Sequence, residues 1–199
     1  MRSEKTIKKM EQGNPVTIAA LGDSLTYGWL VDKGFLDYLK EMLLEKYPDC
    51  SLNIINKGIP GDTASGGLGR LERDVIKHKP DAVFVQFALN DAFTGYSPSE
   101  YSKNIQGIIS RLNEKLDVDI IIITSIYMGY NIESEVAKIF YNVLENIAVK
   151  NNIPIARVDK YWEGHIKDKT HFRTFVQEDL VHPNEDGYKL MAEAIMEIF

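Results

Sequence analysis

Four places in this chain carry side-chain or backbone groups suited to chemistry. They are Ser24 in Gly22-Asp23-Ser24-Leu25, Gly61 in Gly58-Ile59-Pro60-Gly61-Asp62-Thr63, Asn90 in Ala88-Leu89-Asn90-Asp91, and the pair Asp179 and His182 in Asp179-Leu180-Val181-His182-Pro183. A serine hydroxyl becomes a nucleophile when a neighbouring base takes its proton. Asp and His at i and i+3 can face each other on one tight turn. The carboxylate then accepts from one imidazole nitrogen and leaves the other free to take the serine proton. Pro183 stiffens the turn behind His182. Acyl transfer also needs donors for the developing oxyanion. The backbone N–H groups of Ser24 and Gly61 and the side-chain amide of Asn90 are three candidates.

Each piece alone has a plainer reading. Ser24 can cap the next turn or donate within an anion-binding loop. Asn-Asp after a strand is commonly a turn. Asp23 and Asp62 suggest a metal, but Asx side chains commonly tie such turns by hydrogen bonds. A metallophosphoesterase needs further His and Asp ligands at the same strand ends, and the sequence supplies none; it has no zinc-type His or Cys cluster either. The expectation is a reaction with no metal and no organic cofactor. His78, His165 and His171 lack a partner pattern and read as surface or packing residues.

The elements that must position these groups follow from the apolar pattern. Val16–Leu21, Ser51–Asn56, Ala82–Phe87, Asp119–Thr124 and Ile153–Val158 read as strands. They are near-continuous apolar runs, the mark of parallel strands covered on both faces. Between them lie helical patterns: Gly34–Tyr47, a run carrying Leu68, Leu71 and Val75, a helix opened by the capping box Ser97-Pro98-Ser99-Glu100, and Glu135–Lys150. Lys160–Leu180 is less regular, and Glu185–Phe199 reads as a final helix. This alternation predicts a three-layer α/β/α domain with a five-stranded parallel sheet, flavodoxin-like, in the order 2-1-3-4-5. Ser24, Gly61 and Asn90 each follow a strand end, so parallel strands bring them to one edge of the sheet.

Residues 1–14 are polar and lysine-rich and read as an arm, either a frayed helix or disordered, ahead of a single catalytic domain over 15–199. They lack the apolar core of a signal peptide. The longest apolar run is far too short to span a bilayer. With a formal net charge of -6 the chain is a poor partner for nucleic acid or an anionic membrane. The expected partner is a small-molecule ester, with no integral membrane association, and the expected location is the cytoplasm. Cys50 is the only cysteine, so no intrachain disulfide forms, and it reads as a packing residue.

With these blocks in view, the chain resembles the GDSL or SGNH hydrolases. The resemblance rests on Gly22-Asp23-Ser24-Leu25, Gly58-x-x-Gly61-Asp62-Thr63, Asn90-Asp91 and Asp179-x-x-His182-Pro183, which span most of the sequence. It implies a serine esterase or lipase on a flavodoxin-like fold. Ser24 would be the nucleophile, His182 the base and Asp179 its orienter, with Gly61 and Asn90 completing the oxyanion hole. One departure stands out: the family's third block usually reads Gly-x-Asn-Asp, and Ala88 occupies the glycine position here. A short-chain acyl ester, an acetylated sugar, a lysophospholipid or a thioester would each fit. Tyr27, Trp29, Tyr127, Met128, Tyr130 and Phe172 are candidates for a substrate pocket and equally for ordinary packing. The rival reading is a non-catalytic flavodoxin-like domain that binds a small molecule or phosphate in the glycine loops. The Asp179/His182 pair separates the two, because phosphate binding needs no such pair.

Overall fold

The computed structural model describes residues 3–129 and 132–199. Its five strands are β1 (Val16–Gly22), β2 (Leu52–Gly58), β3 (Ala82–Gln86), β4 (Asp119–Ile123) and β5 (Ile155–Ala156). They form one parallel sheet in the order β2-β1-β3-β4-β5. Ile18, Ala19, Ala20 and Leu21 of β1 are fully buried, as are Val83, Phe84 and Val85 of β3. Burial on both faces is why these strands read as unbroken apolar runs rather than alternating ones.

Ten α-helices accompany the sheet among the described residues. These are α1 (Glu4–Glu11), α2 (Ser24–Tyr27), α3 (Phe35–Lys46), α4 (Ala64–Asp74), α5 (Leu89–Phe93), α6 (Pro98–Lys115), α7 (Ile132–Asn151), α8 (Val158–His165), α9 (Lys169–Arg173) and α10 (Glu185–Met196). Helices α3, α8 and α10 pack together, and so do α4, α6 and α7. These two groups make the outer layers. The capping box at the start of α6 is present, with Ser97 accepting from the Glu100 N–H and the Glu100 carboxylate accepting from the Ser97 N–H.

The structure departs from the sequence reading in three places. Residues 4–11, within the stretch read as a frayed or disordered arm, are the helix α1. Its Thr6 and Met10 are buried, and Asp119 accepts from both the Thr6 N–H and hydroxyl at 2.8 Å. The last strand keeps only two of the six residues read for it, because Pro154 has no N–H for the ladder and Arg157 already caps α8. The irregular stretch 160–180 holds the end of α8 and all of α9.

Register brings the strand ends level: Gly22 pairs with Gly58 on one side and Gln86 on the other, and Gln86 pairs with Ile123. The residues that follow form a single edge. Two tyrosines fasten that edge to the helices, Tyr101 donating to the Phe87 carbonyl at 2.6 Å and Tyr141 to the Ile126 carbonyl at 2.8 Å.

Candidate active site

Gly22 closes β1 with no left-handed turn. A Cβ there would lie 2.1 Å from the Thr26 hydroxyl and 2.7 Å from the Gln86 carbonyl, so glycine is needed for close approach. The chain then enters α2 at once. Asp23 is the N-cap and accepts from the Leu25 N–H at 2.9 Å. Ser24 is thus the first residue of a short helix, and its hydroxyl lies at the sheet edge.

The base comes from a closed loop. Val176 and Pro183 form an antiparallel bridge, and the Gln177 N–H donates to the His182 carbonyl at 2.8 Å. Inside this loop one Asp179 oxygen accepts from the backbone N–H groups of Val181 and His182, both at 2.9 Å. The other lies 2.6 Å from His182 Nδ1. His182 Nε2 is 2.9 Å from Ser24 Oγ. Burial pushes the Asp179 carboxyl up, but the hydrogen bonds from His182 and Val181 outweigh it and hold the group below the usual carboxylate range. The two ring nitrogens therefore face a carboxylate and a hydroxyl.

Besides the Ser24 N–H, the candidate donors lie in the segments that follow the two strands flanking β1. Gly61 has φ +78°, a left-handed conformation that glycine adopts freely. Neither its N–H nor that of Ser24 donates to any described residue. The Asn90 amide donates one hydrogen to the Asp62 carbonyl at 2.9 Å, and this orients the other. Ala88 has φ 177°, extended backbone open to any residue, so alanine fits where a glycine is usual.

Three polar residues missed in the sequence hold these loops together. Arg70 is buried and donates to Asp62 at 2.7 Å, to the Lys57 carbonyl at 2.8 Å, to the Gly22 carbonyl at 3.0 Å and to Asp74 at 3.1 Å. It joins the ends of β1 and β2 to the Gly61 loop. Gln86 is fully buried, accepts from Thr26 at 2.8 Å and donates to Ser125 at 3.0 Å. Gln177 donates through Nε2 to the carbonyls of Trp29 and Pro183, each at 2.8 Å. The Trp29 N–H donates in turn to the Tyr188 hydroxyl at 3.1 Å, and the indole lies 6.1 Å from the His182 ring. Only the i,i+4 spacing of Arg70 and Asp74 was a signal in the sequence.

The other candidates divide. Asp23 and Asp62 make the expected loop hydrogen bonds. Asp91 is buried and accepts from the Ala64 N–H through both oxygens at 3.1 Å, which pins the start of α4. Tyr127 and Phe172 are buried against each other in an edge-on pair, so they are packing residues. Tyr27 and Trp29 lie at the site edge, Met128 lines a cavity, and Tyr130 falls outside the described residues. His165 stacks on Tyr161 and His171 packs on Phe175. Cys50 is buried, with its thiol 3.3 Å from the Asn14 carbonyl. No helix among the described residues is long and apolar enough to cross a membrane.

A parallel sheet with serine, imidazole and carboxylate in one hydrogen-bonded line at its carboxyl edge has the architecture of a carboxylic-ester hydrolase. Residues 20–190 match the pattern of the GDSL-like Lipase/Acylhydrolase family, and the chain belongs to that family. It is 25% identical over 180 residues to an arylesterase of Vibrio mimicus, covering 89% of this chain and 85% of that one. It is 24% identical over 212 residues to an acetylxylan esterase of Geobacillus stearothermophilus, covering 94% and 95%. A crystal structure of an acetylxylan esterase from that organism superposes with a TM-score of 0.82 at 23% identity, covering 92% and 93% of the two chains, and this likeness speaks to the fold.

Proposed function

We propose that this chain hydrolyses carboxylic esters through an acyl-enzyme on Ser24, with His182 as the base and Asp179 as its orienter. Ser24 Oγ attacks the ester carbonyl carbon while His182 Nε2 takes its proton. The carbonyl oxygen becomes an oxyanion, held by the N–H groups of Ser24 and Gly61 and the free amide hydrogen of Asn90. The C–O bond to the alcohol breaks, and His182 returns the proton to the departing alkoxide. Water then attacks the acyl-enzyme with the same base, releasing the acid and restoring Ser24. Asp179 keeps Nδ1 protonated and stabilises the imidazolium.

The observation that carries this reading is the unbroken line from Asp179 through His182 to Ser24, at 2.6 and 2.9 Å. A phosphate-binding domain has no use for that line. The test is p-nitrophenyl acetate turnover with and without a serine-directed phosphonate, followed by mass spectrometry of the labelled peptide. Label on Ser24 is expected. Ser24→Ala and His182→Ala should each lower kcat by about 10⁶, with the double variant scarcely worse, because such residues act as a unit. Label on another residue sinks the assignment.

A further inference from the structure

We propose that Gln86 is a positioning residue for the nucleophile: its one buried amide grips the single helical turn that carries Ser24 and holds the serine hydroxyl in line with His182 Nε2. This deepens the reading of Ser24 as nucleophile and rests on it. Gln86 ends β3 and is fully buried. It is the only polar side chain in that strand, after Ala82-Val83-Phe84-Val85. Burying an amide costs free energy unless its oxygen and nitrogen are both bonded. An apolar residue would serve the strand without that cost. The gain has to lie in what the amide holds.

Register sets what it can reach. Gln86 pairs with Gly22 of β1 on one side and with Ile123 of β4 on the other. One residue past Gly22 is Asp23, the cap of α2, and two past Ile123 is Ser125. The amide nitrogen donates to Ser125 Oγ at 3.0 Å and to Asp23 Oδ2 at 3.4 Å. With the nitrogen turned to these two, the oxygen is left for Thr26, whose hydroxyl donates to it at 2.8 Å. Asp23 and Thr26 lie on either side of Ser24 and are both buried. Their bonds end on one amide, which Ser125 anchors in turn to the end of β4.

Helix α2 spans four residues. A single turn has no stability of its own and takes its place from what it is tied to. Its backbone bonds, from the Tyr27 N–H to the Asp23 carbonyl and from the Gly28 N–H to the Ser24 carbonyl, fix its shape and not its place on the sheet. Among the described residues, no other side chain of α2 or its cap bonds to a strand residue. Asn56 of β2 reaches only the Tyr27 carbonyl, at 3.3 Å and at the far end of the turn. His182 is held separately, by Asp179 and the Gln177 N–H. Slack in α2 therefore opens the gap between Ser24 Oγ and His182 Nε2. The Ser24 N–H rides on the same turn, so one candidate oxyanion donor moves with the hydroxyl.

The test reads the attack itself, as the maximal rate (kinact) and half-saturation (KI) of inactivation by a serine-directed phosphonate, beside p-nitrophenyl acetate turnover and Tm. Gln86→Met keeps the length of the side chain and removes the amide. Its kinact should fall by about 10- to 100-fold with KI within about twofold, since a misplaced nucleophile costs rate rather than binding. Thr26→Val removes one bond at nearly constant shape and should show a smaller loss of the same kind. Thr26→Ser keeps the hydroxyl and should hold kinact within about twofold of the parent. Adding Thr26→Val to Gln86→Met should cost nothing more, because Thr26 acts through the amide. Ile108→Val, on the buried face of α6, supplies a lowered Tm for comparison and should leave kinact unchanged. If Gln86→Met does not fold, the Thr26 pair decides: equal kinact in Thr26→Val and Thr26→Ser overturns the proposal. So does a Gln86→Met protein whose kinact per folded molecule stays within about threefold of the parent, or whose loss lies in KI. With Ser24→Ala unlabelled and inactive, those outcomes remove Gln86 alone. Turnover surviving in Ser24→Ala overturns the reading beneath it.

Discussion

Asn90 has two amide hydrogens, and one is engaged within the protein, on the Asp62 carbonyl. That bond orients the second without occupying it. Losing such a donor typically costs on the order of 10²–10³ in kcat. Asn90→Ala should show that loss with KM nearly unchanged, since the donor matters mainly in the transition state. Asn90→Asp should be at least as damaging, because a carboxylate would face both the Asp62 carbonyl and the forming oxyanion. A kcat within threefold of the parent for Asn90→Ala would remove Asn90 from the site. Ala88 belongs to the same question. With φ at 177° and its methyl buried, it gains nothing from becoming glycine. Ala88→Gly should leave kcat unimproved and lower stability by about 0.4–1 kcal/mol through the freer unfolded chain. At this scale the residues proposed as catalytic could be picked out in the sequence because their types and order are distinctive. Arg70, Gln86 and Gln177 were not, since a buried polar residue announces itself only when its partners are known.

The loop between the Val176 and Pro183 bridge is the element that delivers His182, and it has no regular secondary structure to stiffen it. Gln177 supplies the stiffness. Its side chain ties the Trp29 segment to Pro183, while its N–H holds the His182 carbonyl. Gln177→Ala frees both segments, so the imidazole and the indole beside it drift. Small misplacements of a base are costly, and kcat/KM should fall by about 10- to 100-fold. A structural role alone would lower Tm and leave the rate per folded molecule intact, so the two readouts must be taken together. Arg70 does the equivalent work for the donor loops. Arg70→Met leaves Asp62 and Asp74 without their main buried partner and should cost about 3–5 kcal/mol in denaturant unfolding. Arg70→Lys should rescue little, because an ammonium cannot reach four acceptors in the guanidinium's geometry. The long elements were legible from their periodicity. The run from 160 to 180 was not, since α9 spans five residues and is held by its Asp168 cap and contacts rather than by an apolar stripe.

Across the whole molecule, the sheet order and layers followed from five apolar runs alternating with helical patterns, but the charge arrangement beneath the site did not. Asp23 is fully buried, and burial drives its pKa up to about 7 against hydrogen bonds from Leu25 and Gln86 that lower it. Asp91 is driven up to about 6 for the same reason, opposed by the Ala64 N–H. An unfolded chain titrates both near the ordinary aspartate value. Between about pH 4 and pH 7 the folded protein therefore holds protons that the unfolded chain has released. Stability must fall as pH rises through that window. Other groups work the opposite way. Asp74 is held down to about 2, chiefly by Arg73 with help from Arg70, and Asp179 also lies below its ordinary value. Their contribution is complete above the ordinary aspartate range and is lost on further acidification. The expected Tm profile has its maximum near about pH 4, with a decline toward pH 8 and another on further acidification. Asp23→Asn tests the first half of this. An amide oxygen can still accept from the Leu25 N–H, while the buried charge is gone. One pKa unit is worth about 1.4 kcal/mol. The variant should therefore gain at least about that much on the parent at pH 8 relative to pH 5. If the two proteins give parallel Tm curves from pH 5 to pH 8, Asp23 does not carry the charge that burial there implies.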